Sequence, residues 1–280
     1  MSNVNGKKWS IAVCLCLSLL VAAGCGGSTA GKENKNAAAG TTKKTEITIA
    51  CAETTQALVA AVVPLMAEKG YKVTYKVFDN NKNTLVAAND GSMDAVMVVH
   101  RPFMEMFNKA GNGDLVMLKP YLYTVGMGLY SEKYKSIDQL PEGATIALMN
   151  DAMNMDRALR ILADAGLITF KDKTDKATLI DIAANPRKLK FKDMDQTQTV
   201  RALPDVDASI VFFSHMRNAN KDFKSFLVRD KQPENYPQGV VVKAKNENEP
   251  WAKELVSAFR SEKVSKFAAE HYGGLYEYIK

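Results

Sequence analysis

The fold is decided by residues 46–78, which read EITIACAETTQALVAAVVPLMAEKGYKVTYKVF. The first six residues alternate between apolar and polar or small side chains, and this period predicts a strand. Leu58, Val62 and Met66 then recur at helical spacing before Gly70, which predicts a helix that ends at the glycine. The last eight residues alternate again, so their tyrosine and valine side chains are expected to share one face of a second strand. A strand, a helix and a strand in this order indicate an α/β fold with a parallel sheet.

The same alternation of strands and helices continues to the C-terminus. Residues 95–99 are apolar without interruption, which favours a strand buried on both faces at the centre of a sheet. Helices are expected from near Pro102, over 153–165, over 251–260 and over 263–272, and further strands over 115–118, 125–130, 145–149, 189–191, 209–213 and 239–242. The sequence therefore predicts mostly parallel sheets flanked by helices.

The distribution of charge argues against a nucleic-acid partner. The formal net charge is +6, but six lysines against one glutamate before Thr45 supply +5 of it. The remainder is nearly neutral, whereas a protein that binds DNA or RNA needs clustered Lys and Arg to displace counterions from phosphates.

The N-terminal residues are typical of an export signal. Lys7 and Lys8 precede an apolar stretch, 9–24, which is too short to span a membrane comfortably. Small residues then lead into Cys25, and this arrangement resembles the lipobox of bacterial lipoproteins. We therefore expect a signal peptide over 1–24 and a lipid on Cys25, which would anchor an exported protein at the extracytoplasmic face of the membrane or in the periplasm. Residues 25–44, rich in Gly, Ala, Asn, Lys and Thr, are expected to form a flexible tether.

The sequence shows no catalytic constellation. It contains no Gly-x-Ser-x-Gly, no phosphate-binding loop of the Walker type and no His-Glu-x-x-His, and its three histidines are scattered singly. We predict no enzyme activity, no metal site and no cofactor, and an enzyme hypothesis would rest only on these isolated histidines.

Residues 149–159, MNDAMNMDRAL, carry the clearest indication of a binding site. A strand is expected to end here, Asn150 or Asp151 can cap the helix that follows, and Asn154 and Arg157 lie on one side of its first turns. A guanidinium beside the free N–H groups of a helix N-terminus is suited to hold a carboxylate. On spacing alone, Arg157 could equally be a solvated surface charge.

Several short segments follow one another in a fixed order from about Ile47 to the C-terminus. They are GSMDA at 91–95 with HRPF at 100–103, MGLYS at 127–131 with LP at 140–141, ND at 150–151 with Asn154 and RAL at 157–159, AGLI at 165–168, NP at 185–186 with Leu189, and RAL at 201–203 with DVDA at 205–208. In order and spacing these segments resemble the methionine-binding lipoproteins of bacterial ABC importers, the NlpA type.

This resemblance implies a type II periplasmic-binding fold, in which two lobes joined by crossing strands close over an amino acid. Lobe I would comprise residues 45–127 and 236–280, and lobe II residues 128–235. The partners would be an ABC permease and its ATPase, the membrane, and a small-molecule ligand, and we expect a monomer. By position, Arg157 and Asn154 would hold the α-carboxylate of the ligand, and His100 and Phe103 would line the end of the pocket that takes its side chain.

Four further positions of the expected pocket depart from the family pattern. Asn81 stands where the family has an aromatic residue in the loop after the second strand. Phe212 and Ser214 replace the two asparagines of an Asn-Gly-Asn-Tyr run, and Gln238 replaces an asparagine before the last buried strand. A lost polar partner at a buried amine costs about 1–3 kcal/mol, which is enough to change which ligand binds, so methionine itself is not assigned.

Two hypotheses follow from the resemblance and its departures. In the first, the chain captures an amino acid, or a related small α-carboxylate ligand such as a dipeptide, and delivers it to an importer. In the second, the cleft is divergent or degraded, and the lipoprotein acts as a surface interaction or regulatory module.

Overall fold

The structure is a computed structural model and describes residues 44–171 and 175–279. The predicted signal peptide and the lipidation site Cys25 lie outside the described residues. The helices are α1 (Glu53–Glu68), α2 (Asn81–Asp90), α3 (Arg101–Gly111), α4 (Ala152–Asp164), α5 (Phe213–Asn218), α6 (Pro250–Phe259) and α7 (Glu262–Tyr272). The strands are β1 (Glu46–Cys51), β2 (Lys72–Val77), β3 (Ala95–Met97), β4 (Leu115–Met117), β5 (Tyr123–Val125), β6 (Met127–Tyr130), β7 (Thr145–Met149), β8 (Thr169–Phe170), β9 (Ile182–Ala184), β10 (Lys190–Met194), β11 (Ala208–Phe212), β12 (Val228–Arg229), β13 (Val241–Lys243) and β14 (Tyr276–Tyr278).

A first five-stranded sheet has the order β2-β1-β3-β13-β4. β1 pairs in parallel with β2 and β3, whereas β13 runs antiparallel to β3 and β4. The central strand β3 is buried on both faces, because Ala95 and Met97 belong to one hydrophobic cluster while Val96 and Val98 belong to another. This confirms the central position expected for the apolar stretch.

A second five-stranded sheet has the order β10-β7-β11-β6-β12. β7 pairs in parallel with β10 and β11, and β6 pairs antiparallel with β11 and β12. The predicted α/β fold is confirmed, and both sheets are mixed, with parallel and antiparallel pairings in equal number instead of mostly parallel ones. The lobe boundaries at 127–128 and 235–236 stay a prediction.

Gly126 separates the two-stranded sheet of β5 and β14 from the second five-stranded sheet. Residues 125–130 are expected as one strand, but Gly126 divides them into β5 and β6. β5 pairs with the C-terminal strand β14, whereas β6 enters the second sheet. β8 and β9 form a separate two-stranded sheet. A side chain at Gly126 would collide with the ring of Phe213, at 2.7 Å from its Cζ, so the close approach of that ring requires glycine here.

Tyr75 and Val77 are 37% and 40% exposed, because β2 lies at the edge of its sheet. One further expectation about a strand is corrected: the strand expected to reach Phe213 ends at Phe212, and Phe213 begins α5.

The sequence analysis did not predict helix α2, which the structure contains. Asn80 caps it by accepting hydrogen bonds from the N–H groups of Lys82 and Asn83, and Gly91 ends it in the left-handed conformation. Asn81, expected in a loop, is therefore the first residue of a helix. In the described part of the chain, no helix has both the length and the apolar composition needed to cross a membrane.

Candidate functional site

The N-terminus of α4 lies where β7 ends, and its capping fixes Asn154. Asp151 caps the helix by accepting a hydrogen bond from the backbone N–H of Asn154 at 3.0 Å. The Asn154 side chain donates through Nδ2 to the second carboxylate oxygen of Asp151 at 2.9 Å. Because Nδ2 is held by the carboxylate, Oδ1 of this buried amide is left to face His100.

His100 is held in one neutral tautomer. It caps α3, where its Nδ1 accepts a hydrogen bond from the N–H of Phe103 at 3.2 Å. Its Nε2 lies 3.0 Å from Oδ1 of Asn154, which can only accept, so Nε2 carries the proton. Burial, and then the nearby charge of Arg157, lower the pKa of His100 to about 3. The imidazole is therefore uncharged, and it links α3 to α4.

Arg157 is almost completely buried, with 2% of its surface exposed, so it is not a solvated surface charge. Its guanidinium forms an ion pair with Asp230, to which Nε donates at 3.1 Å and Nη2 also donates. Nη2 donates in addition to the carbonyl of Val125 at 2.8 Å, and the guanidinium carbon lies 4.2 Å from the ring centroid of Tyr236. Among the described residues, Nη1 has no hydrogen-bond partner although it is buried.

A narrow cavity of about 50 Å³ lies between elements of the two sheets, and we call it the inner cavity. Its walls come from the N-terminus of α1, the residues that follow β3, the N-terminus of α4, the turn after β10 and the N-terminus of α5. Seven of the eight ligand-binding residues expected from sequence line it: Asn81, His100, Phe103, Asn154, Phe212, Ser214 and Gln238.

Arg157 is the expected residue that does not line the inner cavity. It borders instead a rear cavity of about 340 Å³ together with Asp230 and Tyr236. Two of its neighbours, however, form part of the wall of the inner cavity: Val125, and Phe212 with its ring centroid 5.5 Å from the guanidinium carbon. The guanidinium therefore lies directly behind that wall.

Two larger spaces adjoin the inner cavity. An outer cavity of about 560 Å³ shares with it the residues Ala52, Thr54, Asp79, Thr197 and His215. A side cavity of about 360 Å³ shares Asn81, Phe103 and Gln196, and it is also lined by Met106 and Phe107. The outer cavity has three acidic residues, Glu53, Asp79 and Asp195, and one basic residue, Arg201, on its walls. The side cavity combines apolar residues with Lys82, Asp151 and Asp195.

Sequence reasoning missed three groups of this site. His215 lines the inner and outer cavities, and burial lowers its pKa to about 4 although Asp195 opposes the shift. Gln196 follows β10, which pairs in parallel with β7. Because the carboxyl ends of parallel strands lie at one edge of a sheet, the position of Gln196 close behind a strand could have indicated it. Asp230 had no local signal, since it meets Arg157 from 73 residues away.

Within residues 44–171 and 175–279 no group of His, Cys, Asp or Glu side chains is arranged to hold a metal ion. The site consists of amides, neutral imidazoles, hydroxyl groups, aromatic and aliphatic side chains and the carboxylate of Asp79, with one buried ion pair behind it. Such a surface can hold a small molecule by hydrogen bonds and apolar contacts.

Residues 46–278 match the family model described as NlpA lipoprotein. The chain belongs to the NlpA lipoprotein family. Among its relatives, the methionine-binding lipoprotein MetQ of Bacillus subtilis is 31% identical over 96% of this chain and 97% of its own length.

Solved structures of similar proteins agree with this membership. A nutrient-binding protein from Burkholderia cenocepacia, bound to methionine, is 30% identical and superposes with a TM-score of 0.79 over 84% of this chain and all of its own. A periplasmic substrate-binding protein of an ABC transporter from Coxiella burnetii is 29% identical, with a TM-score of 0.79 over 83% of this chain and all of its own. All three of these relatives are binding proteins, and the one from Coxiella burnetii belongs to an ABC transporter.

Proposed function

We propose that this chain is the substrate-binding protein of an ABC importer, which captures an amino acid, or a related small α-carboxylate ligand such as a dipeptide, between two lobes and delivers it to the permease. The observation that carries the proposal is the inner cavity, because seven residues expected from the family pattern meet on its walls. Family membership supports the same role, since the relatives include binding proteins of ABC transporters.

The environment of Arg157 supports a carboxylate anchor. Asp230 and the Val125 carbonyl occupy Nε and Nη2, whereas Nη1 keeps both of its N–H donors unused within the described residues. A buried donor without a partner costs free energy, and an acceptor supplied by a ligand would remove that cost. The ligand acid group would reach Nη1 from the inner cavity by displacing the ring of Phe212.

The N-terminal sequence supports anchoring through a lipid on Cys25. The family is one of lipoproteins, and Cys25 follows an apolar stretch that ends in small residues. A tethered receptor of this kind meets a permease in the same membrane, so delivery does not depend on diffusion through bulk solvent.

A cleft-filling variant tests the binding site. Ser214→Trp places an indole in the inner cavity, and we expect affinity for the small molecule that co-purifies with the protein to fall by about tenfold or more, about 1.4 kcal/mol. The molecule is identified by the mass released on denaturation, and its affinity is measured by isothermal titration calorimetry.

Ser257→Trp is the matched control, because Ser257 lies exposed on α6 and lines no cavity among those described. Equal affinities of the two variants would place the ligand elsewhere and overturn the assignment of the inner cavity. A protein that releases no small molecule and gains no thermal stability from any amino acid or dipeptide would support the second hypothesis, a lipoprotein with a degraded cleft.

A further inference from the structure

A row of three hydrogen bonds leads from the start of α3 to the start of α4. The backbone N–H of Phe103 donates to Nδ1 of His100 at 3.2 Å. Nε2 of His100 lies 3.0 Å from Oδ1 of Asn154, and Nδ2 of Asn154 donates to a carboxylate oxygen of Asp151 at 2.9 Å. We call these three hydrogen bonds the α3–α4 bridge.

The α3–α4 bridge has a single direction, because both of its ends are fixed chemically. A backbone N–H can only donate, and an ionised carboxylate can only accept. Every donor between these ends therefore points from α3 toward Asp151. His100 must carry its proton on Nε2, and Asn154 must turn its oxygen toward the imidazole.

Asp151 fixes this arrangement from outside the inner cavity. It lines the side cavity and not the inner cavity, whose wall includes His100 and Asn154. One carboxylate oxygen caps α4 by accepting from the backbone N–H of Asn154 at 3.0 Å, and the other accepts from the side chain of the same residue. A single carboxylate thus holds both the backbone and the amide of a residue that borders the binding site.

The bridge joins elements of two different sheets. Helix α3 follows β3 of the first sheet, and α4 follows β7 of the second. His100 and Asn154 are 4% and 2% exposed, so water competes little for the hydrogen bond between them, and the low local dielectric strengthens it. A movement that separates α3 from α4 would break this contact.

We propose that Asp151 is a positioning residue of the binding site, which fixes the amide of Asn154 and through it the tautomer of His100, so that the α3–α4 bridge forms only when the cleft is closed. The inference rests on the proposed function, because a receptor that closes over its ligand needs contacts that favour the closed form. It adds a residue that the expected ligand-binding set does not include.

The variant Asp151→Asn removes the accepting end of the bridge and keeps the helix cap, since Asn caps helices as well as Asp does. The new amide oxygen would accept from the backbone N–H of residue 154, which leaves its NH2 group facing Nδ2 of Asn154. Two donors cannot bond, and turning the Asn154 amide only moves the conflict to His100, whose second nitrogen would then meet the Phe103 N–H as a donor. No placement of protons satisfies the whole row.

Nitrogen-15 NMR of protein labelled at histidine reports the tautomer directly. His100 is assigned by elimination, with His215→Gln and His271→Gln. We expect the wild-type protein to show the Nε2–H form, and Asp151→Asn to show a shift of both imidazole nitrogens toward the Nδ1–H form. Asp205→Asn, at an exposed position before β11, is the matched control and should keep the wild-type resonances of His100.

The double variant Asp151→Asn, Asn154→Asp exchanges the two side chains and keeps the net charge. A carboxylate at residue 154 can accept from the amide at residue 151 and from Nε2 of His100 together, so the Nε2–H form should return. A role of Asp151 limited to capping α4 predicts instead no change of tautomer in either variant, because both retain a good cap.

Small-angle X-ray scattering tests the closure. The wild-type protein and Asp205→Asn should have the radius of gyration of the structure described here, and Asp151→Asn should have a larger one. An unchanged tautomer of His100 in Asp151→Asn, or equal radii of gyration, overturns the inference. Neither measurement needs a ligand, so the proposed function would then still stand, and its own failure would appear separately in the calorimetry of Ser214→Trp.

Discussion

The guanidinium of Arg157 contacts Asp230, the carbonyl of Val125 and the rings of Tyr236 and Phe212. These contacts stabilise the fold, independently of any contact that Arg157 makes with a ligand. Asp230 in turn accepts a hydrogen bond from the N–H of Met127 at 3.2 Å. The ion pair thus holds the backbone on both sides of Gly126. Loss of ligand binding on removal of Arg157 would not by itself identify an anchor.

Removal of one partner of this ion pair should destabilise the protein strongly. Arg157→Ala leaves the Asp230 carboxylate buried with only its longer ion pair to Arg229, at 3.6 Å between Nε and Oδ1, and we expect a loss of about 3–5 kcal/mol in the free energy of unfolding. Urea unfolding followed by circular dichroism measures the change.

The double variant Arg157→Met, Asp230→Leu separates the two roles of Arg157. It removes both charges, so most of the lost stability should return, because a buried pair replaced by apolar side chains is often neutral for stability. If the stable double variant binds the ligand with native affinity, Arg157 is a structural residue and the carboxylate anchor is wrong.

The residues of the inner cavity were predictable where they lie in local motifs. Asn154 follows a capping residue at the end of a strand, and His100 and Phe103 begin a helix within one short segment. Asp230 was not predictable, since its role depends on a contact with Arg157, which lies 73 residues away in the chain. The same limit applies to Arg157, whose burial could not be inferred from helical spacing.

At the scale of elements, the crossing between β5 and β6 is the most constrained backbone of the site. The carbonyl of Gly126 accepts a hydrogen bond from the N–H of Phe213 at 3.0 Å, and the Phe213 ring covers its Cα. Phe213 also stacks on Phe226 at a centroid distance of 5.6 Å. The backbone between β5 and β6, the first residue of α5 and the ring of Phe213 therefore hold one another in position.

Gly126→Ala should destabilise the protein by about 1–3 kcal/mol, because the added methyl group displaces the Phe213 ring from a packed position. Thermal and urea unfolding measure the loss. Gly111→Ala is the control, since nothing lies within 4 Å of a side chain there and its backbone conformation is not left-handed.

Phe213→Leu tests the cause of this loss. Combined with Gly126→Ala, the smaller side chain should recover part of the stability, and the two changes should not be additive. Strict additivity would mean that Gly126 is needed for its backbone conformation and not for the approach of the ring.

Element order was largely predictable, whereas element environment was not. The apolar runs at β3 and β7 and the helical spacing of α4, α6 and α7 are strong local signals, and the structure has these elements within a few residues of the expected bounds. The alternation in β2 could not reveal that this strand is an edge, because edge position depends on pairing partners. Helix α2 was missed although its cap Asn80, the spacing of Leu85 and Ala88, and Gly91 together indicate a helix.

At the scale of the whole molecule, the two mixed sheets frame a cleft, and the sequence ahead of them is expected to attach the protein to a membrane. The first sheet takes strands from both ends of the described chain, and the second takes strands from the middle. The chain therefore leaves the first sheet and returns to it, as expected for two lobes joined by crossing strands.

Cys25→Ser should abolish lipidation, because the thiol that would carry the lipid is lost. We expect the variant to incorporate no labelled palmitate and to leave the membrane fraction. Cys51→Ala is the matched control: Cys51 is buried in β1, and this variant should keep both the label and the membrane location. Labelling that persists in Cys25→Ser would contradict the lipobox interpretation.

The C-terminal strand β14 carries a consequence for any experiment that modifies the end of the chain. Its residues pair with β5, and the hydroxyl of Tyr276 donates to the carbonyl of Thr54, a residue that borders the inner and outer cavities. Tyr276 also lines the inner cavity, so trimming by a carboxypeptidase that reaches β14 would remove part of the wall of the cleft. Affinity handles and fluorescent reporters belong on an outward-facing helix position, far from the final residues.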